Sequence, residues 1–199
     1  MIAIGNGESR ASIDIDKIAS PKIGCNAIMR DYYVDHLVCV DRRMVQEAIS
    51  AGVNTRGTFI HTRHNWCPHF KTLRVREVPE LPYVGSDRPD DPFHWGSGPY
   101  AVLLAAKLSK KSTVDLIGFD LHSKTEKVNN IYKSTANYDD ASKRAVDPRY
   151  WIYQIGKVFE CFPKVTFNIY QEPNWELPKA WNHPNVTVDT ISNIRYNKV

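Results

Sequence analysis

Six short apolar runs, most of them rich in β-branched residues, punctuate the chain, and long amphipathic or polar stretches separate most of them. This alternation narrows the possible folds more than any other feature. The runs are 2–4, 22–25, 36–40, 58–61, 114–117 and 165–170. Strands joined by helices assemble into a mostly parallel sheet with helices on its faces, so the expected class is α/β. The spacing predicts helices over 41–51, closed by Gly52, over 99–109 and over 148–162. The last places Ile152, Ile155, Phe159 and Phe162 on one side at helical spacing. Pro99 and Pro148 fall in first turns, where proline is tolerated, and Ser97 and Asp147 precede them as expected N-caps.

A chain of 199 residues with 42% hydrophobic and 11% aromatic residues suits one domain with a real core, which excludes global disorder. No stretch approaches the roughly 20 apolar residues of a membrane span. The first residues carry no basic segment followed by an apolar one, so no signal peptide is expected. Four dispersed cysteines without a CxxC pair argue against a disulfide framework and for a reducing, cytoplasmic setting. A formal charge of +4 does not argue for a protein that coats nucleic acid. The excess is local: five of the 26 basic residues and none of the 22 acidic ones lie between Arg56 and Arg76, leaving the rest at −1. This segment reads as an anion-facing patch, or equally as a solvated stretch.

Two internal segments look irregular. Residues 79–92 hold four prolines and read as an extended connection. Residues 121–147 are too polar for a core element, and a loop of that length in a compact domain reads as a functional lid. The stretch from Glu172 to Val199 reads as an extension that covers the core, the commoner outcome, or meets a partner.

Four motifs carry candidate chemistry. Gly5-Asn6-Gly7-Glu8-Ser9 follows the first run, where a glycine turn lets backbone amides approach a phosphate while Asn6 and Ser9 add side-chain hydrogen bonds. It is not GxGxxG and lacks the Walker lysine, and a plain tight turn explains it as well. Asn26 ends the second run, suited to a base or ribose, or to capping. Ser97-Gly98 opens an apolar helix whose amides suit an anion, although an N-cap accounts for Ser97 equally. Asp120 closes the fifth run as a catalytic or a structural carboxylate. His61, His64, Cys67 and His69 tempt towards zinc, but their spacing matches no standard finger or ribbon, and no metal site is expected there.

In order, Gly5-Asn6-Gly7-Glu8-Ser9, Gly24-Cys25-Asn26, Ser97-Gly98 and Ile117-Gly118-Phe119-Asp120 resemble the motifs of the bacterial lipooligosaccharide sialyltransferases. The same skeleton resembles the 6-hydroxymethylpterin pyrophosphokinase-like family. Both resemblances imply a Rossmann-like nucleotide-binding domain. The first implies a glycosyltransferase with a CMP-sugar-like donor held by Asn6, Asn26 and Ser97. It also implies phosphate contacts from Tyr132 and Tyr138 in the lid, an acceptor of unspecified identity and a homo-oligomer. That family's general-base histidine has no counterpart here; its position falls near Asp147, which becomes the catalytic candidate beside Asp120. The second resemblance implies Mg²⁺ held against a triphosphate by Asp41 and Asp120. A helix N-cap is the alternative role for Asp41. A non-catalytic nucleotide-binding or interaction module remains the reading of a different class.

Overall fold

The computed structural model describes every residue except 73, 86, 111, 124 and 197–199. Eight parallel strands form one sheet: β1 (Ile2–Ile4), β2 (Lys22–Cys25), β3 (His36–Val38), β4 (Phe59–Thr62), β5 (Val75–Glu77), β6 (Thr113–Ile117), β7 (Thr166–Gln171) and β8 (Val186–Thr190). The order β5-β4-β3-β2-β1-β6-β7-β8 means that the chain builds outward from β1 on one side, then returns to build outward on the other. The reversal lies between β1 and β6. There the connections diverge and leave a crevice beyond the carboxyl ends, the place where open α/β sheets bind ligands. The α/β expectation holds: this is a Rossmann-like sheet flanked by three α-helices.

The helices are α1 (Arg42–Ser50), α2 (Ser97–Leu108) and α3 (Arg149–Cys161). On one face of the sheet Met44, Val45 and Ala48 of α1 pack with Ile4, Leu37 and Ile60. On the other, α2 lies over β1, β2 and β3, burying Ala101, Leu104 and Ala105 against Ala3, Ile23 and Val38. Nine of the twelve α2 residues are buried, because α3 covers its outer side. An apolar helix without a polar face is what such a middle layer requires. The C-terminal stretch then wraps α3: Trp181 is fully buried and its indole N–H donates to Ile152 O at 2.8 Å. Gly156 admits this wrap, since a Cβ there would stand 2.7 Å from Ala180 O.

Two strands fall outside the six apolar runs. β5 has three residues and β8 reads Val-Thr-Val-Asp-Thr; both are sheet edges with mostly exposed side chains. An edge strand has one partner and little face to bury, so its sequence needs no apolar pattern. Helix boundaries also differ from expectation. Ser97 is the first helical residue of α2 rather than its N-cap, which is Gly96. Pro148 is the N-cap of α3, although Asp147 Oδ1 still accepts from the Arg149 amide at 3.0 Å.

Candidate functional site

The ends of β1 and β6 remain paired past the sheet. The Gly5 amide donates to Ile117 O at 2.8 Å and the Gly7 amide to Gly118 O at 2.9 Å. The approach is too close for side chains: a Cβ on Gly5 would lie 2.2 Å from Gly118 O, and Gly118 itself has φ +69°. A Cβ on Gly7 would meet the Asp120 carboxyl group at 2.4–2.7 Å. Asp120 Oδ2 accepts from the Ser9 amide at 2.9 Å, and Oδ1 accepts from the Ser9 hydroxyl. Both oxygens of Asp120 therefore brace the glycine turn, and Ser9 faces that carboxylate.

Asn6 is turned inward. Its Nδ2 donates to Cys25 O at 3.1 Å and to the Tyr138 hydroxyl at 3.3 Å, while Oδ1 accepts from Arg10 at 3.2 Å. Arg10, only 2% exposed, also donates from Nε to Gly5 O at 2.7 Å and from Nη2 to the Tyr132 hydroxyl at 3.3 Å. Tyr132 in turn donates to Asp31 at 2.7 Å. No motif marks Arg10, because its value comes from three partners brought together by folding.

The segment 121–147 is pinned over this turn. The Ile131 amide donates to Asn6 O at 2.9 Å, Asn129 accepts from the Glu8 amide at 2.8 Å, and Arg30 donates to Thr135 Oγ1 and Ala136 O. Tyr132 and Tyr138 thus serve as buried struts, and neither lines the crevice cavity. Burial, joined by the hydrogen bond to Asp31, pushes the Tyr132 phenol up to about 12; burial raises Tyr138 as well. Both remain neutral phenols near neutral pH: Tyr132 donates to Asp31, and Tyr138 accepts from Asn6 Nδ2 and the Ala27 amide.

The crevice holds a cavity of about 310 Å³, at the lower end of small-molecule sites. Its walls are the Gly5–Gly7 turn, Asn26, Asp41, the start of α2, the 118–121 strand end and Trp151. Asn26 adopts φ +51°, a left-handed conformation that asparagine tolerates. Ser97 Oγ accepts from the Val40 amide at 3.1 Å, so its proton goes to Asn26 Oδ1 at 2.9 Å. This relay fixes the amide orientation. Asn26 Nδ2 is left as a donor with no partner among the described residues. The Ser97 and Gly98 amides precede the first intrahelical bond of α2 and lie at its positive end. Asp41 contributes an exposed carboxylate, and no Lys or Arg lines the cavity among the described residues. Cys25 stands in the wall, but burial pushes its thiol up to about 12, so it offers no thiolate nucleophile.

The other candidates lie elsewhere. Asp147 does not line the cavity; it is exposed and paired with Arg149 at 2.6 Å. The Arg149 amide and then its guanidinium hold this carboxyl below its usual range, which suits a helix start better than a base. Within the basic segment Arg63 donates to Phe93 O and Trp95 O, Arg56 donates to Ala51 O, and Arg74 and Arg76 share the Phe59 ring. No group of three or more His, Cys, Asp or Glu suited to a metal occurs among the described residues.

His61 packs instead against His36 from β3. Its Nδ1 faces Glu77 O at 3.3 Å, so Nδ1 carries the proton and Nε2 accepts from His36 Nδ1 at 3.0 Å. Burial, with further contributions from His36 and Arg76, lowers its pKa to about 4. Below pH 6.5 the unfolded chain takes up a proton here that the folded chain refuses. Stability is therefore fully present above about 6.5 and declines as pH falls towards 4, by on the order of 3 kcal/mol. Urea unfolding across that window should show a loss that is smaller by about this amount in His61→Gln. Equal losses in both proteins would remove His61 as the cause.

Comparison of the chain with protein-family models, with curated proteins and with solved structures yields no match.

Proposed function

We propose that the crevice cavity binds a nucleotide and that the chain transfers a group from it, a glycosyl group carried on a CMP-sugar-like donor. One observation carries the reading: the unpaired amides at the start of α2 and the free Asn26 amide face a single cavity at the β1/β6 reversal. The amides and the helix dipole suit the phosphate. Asn26 Nδ2 suits the base or ribose, and the Trp151 indole offers a flat apolar wall. In the transfer the acceptor hydroxyl oxygen bonds to the anomeric carbon, the bond from that carbon to the phosphate oxygen breaks, and the nucleotide leaves with the electron pair. Asp41, exposed and without a side-chain partner among the described residues, takes the acceptor's proton. Asp120 holds the turn.

A second reading is favoured by the lining itself, which holds two carboxylates and no cationic side chain. A nucleotide triphosphate would then enter with Mg²⁺, held by Asp41 and phosphate oxygens, as in a pyrophosphokinase. Asp120 fits this role less well, because both its oxygens already accept from Ser9.

Thermal-shift measurements with CMP, CDP, UDP, ATP and GTP, each with and without Mg²⁺, separate these readings. Metal-independent stabilisation by cytidine nucleotides is expected. Mg²⁺-dependent stabilisation by ATP would move the assignment to the kinase, and no shift with any nucleotide would leave a non-catalytic interaction module. Asn26→Asp keeps the bond from Ser97 and replaces the free donor with an acceptor. It should weaken the best nucleotide at least about tenfold in calorimetry without lowering the melting temperature. Unchanged affinity would show that Asn26 makes no nucleotide contact.

A further inference from the structure

A second cavity, of about 380 Å³, opens beyond the carboxyl ends of β4 and β5 and lies on the same edge of the sheet. The stretch 91–100 is the wall between the two: Asp91, Pro92, Phe93 and Tyr100 face the second cavity, while Gly96 to Pro99 face the first. Arg63 braces this wall through Phe93 O at 2.6 Å and Trp95 O at 3.1 Å.

The lining combines three chemistries. Glu77 and Glu80 present carboxylates with no side-chain hydrogen bond or ion pair among the described residues. Arg63 Nη2 is spent on the wall and its Nε–H is shut away from solvent, which leaves Nη1 as the guanidinium donor with no partner among the described residues. Phe93 is 60% exposed, with the Arg63 guanidinium 4.9 Å over its ring, and Leu81 and Val78 add apolar surface.

These features discriminate between classes of ligand. An anion would satisfy Arg63 but meet the carboxylates of Glu77, Glu80 and Asp91. A cation would suit those carboxylates but leave the Arg63 donor unpaired beside a like charge. A neutral polyhydroxylated ring avoids both conflicts, because a hydroxyl donates to a carboxylate and accepts from a guanidinium. Its C–H face is apolar and suits the exposed ring of Phe93. We infer that the second cavity is a binding site for a neutral saccharide. The further step, that this saccharide is the acceptor of the transfer, rests on the function proposed above; the binding itself does not.

Saturation-transfer NMR on the full chain without nucleotide tests the site. The probes are the methyl glycosides of glucose, galactose and mannose together with N-acetylglucosamine, and the charged controls are glucuronate and protonated glucosamine. At least one neutral probe should give saturation transfer above both controls. Phe93→Ala and Glu80→Gln, both at exposed positions, should each reduce it at least about fivefold. Nucleotide-induced thermal shifts should be unchanged in both variants. No transfer to any neutral probe, a stronger signal from a charged control, or wild-type signals in both variants would each overturn the assignment. Because nucleotide is absent from the NMR experiment, failure of the nucleotide reading would leave this result intact.

Discussion

Gly5→Ala should lower the stability of the chain by about 4 kcal/mol or prevent folding, although the new side chain is a single methyl group. The methyl carbon would lie 2.2 Å from Gly118 O and 2.9 Å from Gly118 C, both backbone atoms. Relief requires parting β1 from β6 at the point where Gly5 donates to Ile117 O and Gly7 to Gly118 O. Those bonds join the two halves of the sheet, so strain here is not absorbed by a rotamer change. Gly98→Ala is the control, since its Cβ would meet only Phe119 at 3.5 Å, an ordinary contact. Urea denaturation of both variants measures the difference. A Gly5→Ala unfolding free energy within about 1 kcal/mol of wild type would contradict the crossing geometry.

Arg10→Met should cost a similar amount, about 4 kcal/mol, and loosen the cover of the site. Methionine fills much of the volume but donates nothing, so Gly5 O and Asn6 Oδ1 lose a buried donor and the Tyr132 hydroxyl loses its link to the turn. Each buried acceptor left unsatisfied costs roughly 1–3 kcal/mol. Because Arg10 joins the glycine turn to Tyr132, and Tyr132 joins it to Asp31, amide exchange in 129–138 should accelerate together with the loss of global stability. Destabilisation with unchanged local exchange in that segment would show that the cover is held by its other contacts alone, such as Ile131 to Asn6 O.

The two variants mark different depths of legibility. Gly5 and Gly7 are visible as a turn after an apolar run, and their place at a strand end follows from the α/β alternation. The identity of the obstacle is not visible, because Gly118 and Asp120 are more than 110 residues away along the chain. Asp120 reads equally as a catalytic or a structural carboxylate until the Ser9 amide and hydroxyl are found on its two oxygens. Asn6 has the residue type of a nucleotide contact, yet its amide is consumed by Cys25 O, Tyr138 and Arg10. The second motif asparagine, Asn26, has the reverse history: a capping role looks sufficient in sequence, and the Val40–Ser97 relay leaves its Nδ2 without a partner among the described residues at the cavity wall.

Composition and periodicity by themselves determined the α/β class, the six inner strands, the three helices to within about two residues at each end, and the strand-end turns. Those features follow from local burial patterns, which each segment carries in its own residues. Tertiary structure alone decided the edge strands β5 and β8, the inward burial of Arg10, the use of Arg63 to brace residues 93–95 and the use of residues 121–147 as a pinned cover. Each of these depends on partners distant in the chain. A hydrogen-bonding side chain has the same sequence signature whether it is spent inside the protein or offered to a ligand, and only the folded neighbours decide which.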